Sequence, residues 1–175
     1  DYESGRRKSP GSQFIKRYVE VLVKLAFQQN KLINDQRKFS EAILDLREFN
    51  EPVKVSLLAE KLKCEILAGE DLLNLNLYGY TILDSIKAIY LLSGFDFFKI
   101  FGSTTERALI FTKVGLGRSP LVAVRVSPLK PRMVVIHGPQ KVDPLAIELA
   151  KKDKILLALS NLKDVEDIKK NLENL

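Results

Sequence analysis

Met133-Val-Val-Ile-His137, closed by Gly138-Pro139, and Ile155-Leu-Leu-Ala-Leu159 are two short apolar runs. Between them Asp143-Pro144 opens a helical pattern with apolar or small residues at Leu145, Ile147, Leu149 and Ala150. After the second run, Asp164–Leu175 repeats at helical spacing through Val165, Ile168 and Leu172. Apolar runs buried on both faces and joined by a helix are the pattern of parallel strands with a right-handed crossover. Such sheets bind small ligands beyond the carboxyl ends of their strands, where His137-Gly138-Pro139 falls.

Upstream of this unit, Arg107–Val114 and Leu121–Val126 read as strands joined by the Gly-rich turn Gly115-Leu-Gly-Arg-Ser-Pro120. Phe95–Phe101 reads as a buried strand closed by Gly102, and Ile82–Leu92 as a helix with Thr81 as N-cap and Gly94 as its stop. Val53–Leu58 and Leu62–Leu67 alternate partway and suggest a hairpin-like pair. A helical pattern covers Phe39–Phe49, ended by Glu51-Pro52. Before it, Phe14, Ile15, Tyr18, Val19, Leu22, Leu25 and Ala26 form one apolar stripe on a strong helix, of the kind that pairs across a dimer axis. The expected fold is α+β: a long amino-terminal helical arm, then a mixed α/β domain ending in a parallel βαβα unit. The expected domains are 1–50 and 51–175.

The chain has 175 residues, 46% hydrophobic and 29% charged, as in ordinary globular proteins. No apolar run approaches the roughly 20 residues that span a bilayer, so no membrane partner is expected, and an intracellular, cytoplasmic protein is. One Cys and one His leave no disulfide framework and almost no scope for a His/Cys metal centre, so no cofactor is expected. The only methionine is Met133, which points to a piece of a longer protein. The net charge of +6 is uneven. Residues 1–38 hold nine Lys/Arg against four Asp/Glu, and 103–132 hold six against one. Localised positive charge is the footprint of a phosphate-bearing or other anionic partner, or else of a solvated basic face.

Gly115-Leu-Gly with Arg118 and Ser119, and Thr104 and Thr105, are the parts of an anion cradle: free N–H groups, hydroxyls and a guanidinium. A plain turn is the simpler alternative. No Walker or GxGxxG pattern supports nucleotide hydrolysis or dinucleotide binding. His137 and Gly138 sit at a strand's carboxyl end, and Asp143 begins the next helix. These seven residues, Thr104 to Asp143, form the candidate ligand site. His137 lacks an identifiable nucleophile or orienting carboxylate, so no catalytic residue is assigned. Seven of the fourteen aromatics fall between Tyr78 and Phe101, either as core or as the wall of a pocket. Leu58-Ala-Glu-Lys-Leu62 is similar to the first helix of a helix–turn–helix, but the following Glu65–Leu75 carries only acidic charge, which excludes a DNA-reading helix there.

Tyr2–Ser9, then Gly11 and a helix from Phe14, resembles the end of a winged-helix domain, with Arg6, Arg7 and Lys8 at the tip of a phosphate-touching wing. A flexible basic tail is the alternative. Ser103-Thr-Thr-Glu-Arg107 with Gly117–Leu121, and Val134–Gly138 with Val142–Ala146, resemble the effector half of a group of archaeal helix–turn–helix transcriptional regulators. The last 43 residues are also similar in layout to the DRTGG-type regulatory domain, without an Asp-Arg-Thr-Gly-Gly. These resemblances imply a DNA-binding amino-terminal domain and a carboxyl-terminal domain that senses or dimerises; joined with the apolar stripe and the cradle residues, the expectation is a homodimer paired through the long helix whose α/β domain senses a small, anionic effector. The rival expectations are a stand-alone nucleic-acid-binding protein and, last, an enzyme on phosphorylated metabolites.

Overall fold

The computed structural model describes residues 12–175. The proposed wing residues Arg6, Arg7 and Lys8 lie outside them. Two compact units result, one ending at Lys38 and one running Phe39–Leu175. The first is helical. Helix α1 spans Ser12–Ala42, which at 1.5 Å per residue is about 46 Å. Its apolar side chains Ile15, Tyr18, Leu22, Leu25 and Leu32 are each about half exposed or more. No described helix is long and apolar enough to cross a membrane.

The second unit is built on one sheet of six strands: β1 (Ile43–Lys54), β2 (Cys64–Ala68), β3 (Asn76–Asp84), β4 (Ala108–Thr112), β5 (Met133–His137) and β6 (Leu156–Ser160). Their order is β1-β3-β4-β5-β6-β2. The inner four are parallel, and β1 and β2 add to the edges antiparallel. Between and after the strands lie α2 (Val55–Lys61), α3 (Ser85–Leu91), α4 (Asp96–Lys99), α5 (Arg118–Val126), α6 (Pro144–Asp153) and α7 (Val165–Leu172). Leu109, Phe111, Val134, Ile136, Leu157 and Leu159 face Leu121 and Val124 of α5 and Ala146 and Ala150 of α6. On the other face Ala108, Ile110, Met133, Val135 and Ala158 meet Leu58 and Leu62 of α2 and Ile168 and Leu172 of α7. A sheet buried on both sides explains the unbroken apolar runs that mark its strands. The architecture is α+β, and the parallel unit β5-α6-β6-α7 stands where its sequence pattern puts it.

Five local expectations are corrected. The 39–49 helix is instead the end of α1 followed by β1, because Ile43 and Leu44 pack on opposite faces of the sheet. Pro52 does not stop a helix but sits in an edge strand, within the irregular register between Glu48 and Val53. The 53–67 hairpin is absent. Val55, Leu58, Ala59 and Leu62 bury one face of α2, and β2 pairs with β6. The helix at 82 begins later: Ile82 and Leu83 finish β3, and the N-cap is Asp84, whose carboxylate accepts from the Lys87 N–H at 3.0 Å. Thr81 instead donates from Oγ1 to the Ile100 carbonyl inside the core. The 95–101 strand is the short helix α4 with its flanks, turned by Ser93 and Asp96, which exchange hydrogen bonds. The 121–126 strand is helix α5, with Pro120, Leu121 and Val124 buried at helical spacing. The Gly-rich segment is therefore no hairpin turn but the loop leading from β4 into a crossover helix.

Candidate ligand-binding cavity

Four parallel strands in sequential order have no point of reversal, so the crevice usual in doubly wound sheets does not form. A cavity opens instead where the β3–β4 crossover is thin. That crossover is two short helices, and α3 buries only Ser85. The gap between α3, α4 and α5 is a cavity of about 740 Å³ above the carboxyl ends of β3 and β4. Ile86, Ile89, Phe98, Leu116 and Val126 line it while remaining 42–77% exposed, so apolar surface is gathered around its mouth. Phe97 lines it too, whereas Tyr80 and Phe101 are core. The aromatic cluster thus divides between core, cavity wall and the exposed Tyr78, Tyr90 and Phe95.

The polar groups of the cavity come from three segments. Asp84 ends β3 almost fully buried, and its carboxylate takes both the Lys87 N–H and the Lys113 ammonium, the latter at 2.7 Å. Burial pushes the Asp84 carboxyl up, but those two donors outweigh it and hold the group below its ordinary value. Lys113, just past β4, adopts a left-handed backbone at φ 55°. The chain then passes through Gly117, at φ 85°, which caps α5 without any side-chain acceptor. A Cβ there would meet both an unfavourable φ and Val142 at 3.0 Å, so glycine is required. Arg118 opens α5 and reaches Asp143 Oδ2 at 2.7 Å, and Asp143 Oδ1 accepts from the Leu145 N–H at the start of α6. That N–H does most to hold the Asp143 carboxyl below its usual range; burial opposes it, and the guanidinium adds to the lowering.

The expected ligand residues are distributed over three places. Arg118, Ser119 and Asp143 line the cavity together. His137 and Gly138 do not line the cavity and only meet Val114, which does, through backbone. The Val114 N–H donates to the His137 carbonyl at 3.2 Å, and Gly138 leaves no room for a side chain against the Val114 carbonyl. The His137 ring points to the α2/α7 face, where Nε2 donates to the Leu162 carbonyl at 3.1 Å and Nδ1 has no partner. Thr104 and Thr105 lie before β4, at the opposite end of the sheet. There the Thr104 hydroxyl accepts from the Glu106 N–H, and the Thr105 carbonyl from the Arg132 N–H.

Two polar residues of the cavity escape a reading of the sequence. Ser85 is 7% exposed, lines the cavity, and its hydroxyl has no hydrogen-bond partner. Lys113 lines it as well. Both follow directly on strand ends. Ending β3 at Asp84 would have marked Ser85, but starting the helix at Ile82 hid it mid-helix. Cys64, the lone thiol, plays no part: burial pushes it up to about 12, far from a reactive thiolate.

No family model matches the chain. It is 43% identical to an uncharacterized HTH-type transcriptional regulator of Methanocaldococcus jannaschii, over 97% of this chain and 74% of that protein. It is 41% identical to another from Archaeoglobus fulgidus, over 97% of this chain and 76% of the relative. Among solved structures, the CBS and DRTGG domains of the regulatory region of Clostridium perfringens pyrophosphatase, complexed with the activator diadenosine tetraphosphate, superpose with a TM-score of 0.46. That match is 14% identical and covers 70% of this chain and 47% of the other, a distance at which neither fold nor ligand is carried across. Identities above 40% along nearly the whole sequence leave no such gap: the chain belongs to a family of archaeal HTH-type transcriptional regulators.

Proposed function

We propose that residues 39–175 sense a small effector in the cavity above β3 and β4, and that its occupancy alters DNA binding by a helix–turn–helix segment. The observation that carries this reading is the cavity itself. It is of ligand size, mostly apolar, and converges on two cations and a buried hydroxyl. In this scheme α1 joins two copies, Arg6, Arg7 and Lys8 touch DNA phosphates, and the protein works in the cytoplasm beside the genome. The effector acts by binding one arrangement of the dimer better than another.

The charge distribution weighs against a stand-alone nucleic-acid binder that uses residues 103–132. All six cations of that stretch are engaged within the unit. Arg107, Lys113, Arg118, Arg125 and Arg132 pair with Glu48, Asp84, Asp143, Asp153 and Glu106. Lys130 donates to three carbonyls. Little remains to release counterions from a phosphate backbone. The enzymatic alternative needs Arg118 as clamp and His137 as acid or base, and their side chains do not share a site.

The test is a mobility-shift assay on the full-length regulator, with DNA fragments it selects from archaeal genomic DNA. Small-molecule extract from the same cells should change the affinity of the wild type and leave Ala123→Trp, which fills the cavity, unaffected. An equal response from both proteins, or none from the wild type, would overturn the reading.

A further inference from the structure

The chemistry of the cavity narrows its ligand, on the premise that the cavity is the sensing site. We infer that it takes an apolar acid, a molecule with one carboxylate and an aliphatic or aromatic body, rather than a nucleotide or other polyphosphate. Three observations converge. The body of the ligand is set by Ile86, Ile89, Phe98, Leu116 and Val126, whose exposed apolar surface is concentrated at this one mouth. Covering that surface releases water from it, which favours a hydrocarbon body over a sugar or a base-and-ribose.

The head is set by the entry to α5. Its N-cap is a glycine with no side chain to accept from the first N–H groups, those of Arg118 and Ser119, and this positive end of the helix lines the cavity. Arg118 and Lys113 flank the same loop. Each already holds a carboxylate, Asp143 and Asp84 respectively, so two cations meet two anions there, Asp143 on the lining and Asp84 buried. A single carboxylate fits that balance by sharing the Arg118 fork with Asp143. Several phosphate charges would be repelled by the same two aspartates. The second polar group is the Ser85 hydroxyl, buried in the cavity wall without a partner. A buried hydroxyl is rarely left unpaired, and an oxygen of the ligand supplies what the protein does not.

Isothermal titration of the 175-residue chain would use octanoate and 3-phenylpropionate, the amides octanamide and 3-phenylpropanamide, and ATP and pyrophosphate. At least one acid should bind, with its amide about tenfold weaker, the loss of one charge-assisted contact. Arg118→Gln should weaken the acid about tenfold and leave the amide unchanged. Arg118 is an exposed side chain, so the variant will fold. Ser85→Ala should weaken acid and amide alike. Equal affinity for acid and amide overturns the carboxylate head. Binding of ATP or pyrophosphate, with both acids silent, overturns the ligand class in favour of a polyphosphate. Silence from all six compounds also overturns it. In these last two cases the mobility-shift test on Ala123→Trp decides separately whether the cavity is a sensing site.

Discussion

Arg107 is the largest side chain in the core, fully buried, and every donor of its guanidinium group is placed. Nε donates to Thr81 Oγ1 at 3.1 Å, one terminal nitrogen to Glu48 at 2.9 Å and to the Phe101 carbonyl, and the other to the carbonyls of Arg47 and Tyr80. One residue thereby ties β1, β3, β4 and the turn after α4 together. The Ser103-Thr-Thr-Glu-Arg107 segment, which invites a ligand reading, belongs to this knot: the Ser103 N–H also donates to Glu48. Arg107→Met would strand several buried acceptors and is expected to cost about 3–5 kcal/mol in urea denaturation. Arg107→Lys, with three donors and no fork, should fall between that variant and wild type. Near the cavity lip, Asp96 is held at about 2 by hydrogen bonds from Lys99, the Ser93 hydroxyl and the Ser93 N–H. A carboxyl depressed on folding stabilises the fold above its unfolded value of 3.8, and that contribution is lost as the pH falls towards 2. An NMR titration should place its midpoint near 2 in wild type and higher in Ser93→Ala.

Helix ends and helix faces explain which elements the sequence disclosed. The βαβα unit was legible because strand, cap and helix signals agree: Asp143 with Pro144 opens α6, Asp164 opens α7, and five-residue apolar runs make the strands. Helix α5 was not, since Leu121-Val-Ala-Val-Arg-Val126 alternates like a strand and its β-branched residues favour one; packing of Leu121 and Val124 on the sheet overrides that preference. Helix α2 carries both signals, for Val55, Leu58, Ala59 and Leu62 follow helical spacing while Val53–Leu58 alternates partway like a strand. Arg118, Ser119 and Asp143 still reach the cavity because the two loops that carry them, after β4 and after β5, follow strand carboxyl ends in either reading. The apolar wall was not visible, since only the tertiary gap beside α3 distinguishes it from core. The end of α6 carries its own test. Lys154 caps it at φ 55° with an exposed side chain, a conformation suited to glycine. Lys154→Gly is expected to raise stability by about 0.5–1 kcal/mol, read as a higher urea midpoint at unchanged slope.

At the scale of the whole molecule, the two units present opposite surfaces. The sheet unit buries both faces of its sheet and pairs the cations of its basic stretch internally. In the helical unit the described apolar side chains stay exposed. Ile15, Tyr18, Leu22, Leu25 and Leu32 follow alternating steps of three and four, with Gln29 completing the series, the spacing that a two-stranded coil requires of its seam. A lone helix gains nothing from such a stripe in water, where most helical stability comes from packing its apolar face. In the proposed dimer a second copy of the same helix would supply that face with the matching pattern, and two DNA-binding heads joined by it would meet two half-sites at once. Leu22→Glu with Leu25→Glu places four carboxylates at the centre of the proposed seam. The double variant should sediment as a monomer where wild type is a dimer, lose helical circular dichroism, and leave the sheet unit's unfolding transition in place. In the full-length regulator its affinity for DNA should fall on the order of 10²-fold, because the second head no longer binds as part of the same molecule. A variant that remains dimeric would remove α1 from the interface, and a monomeric wild type would remove the dimer from the mechanism.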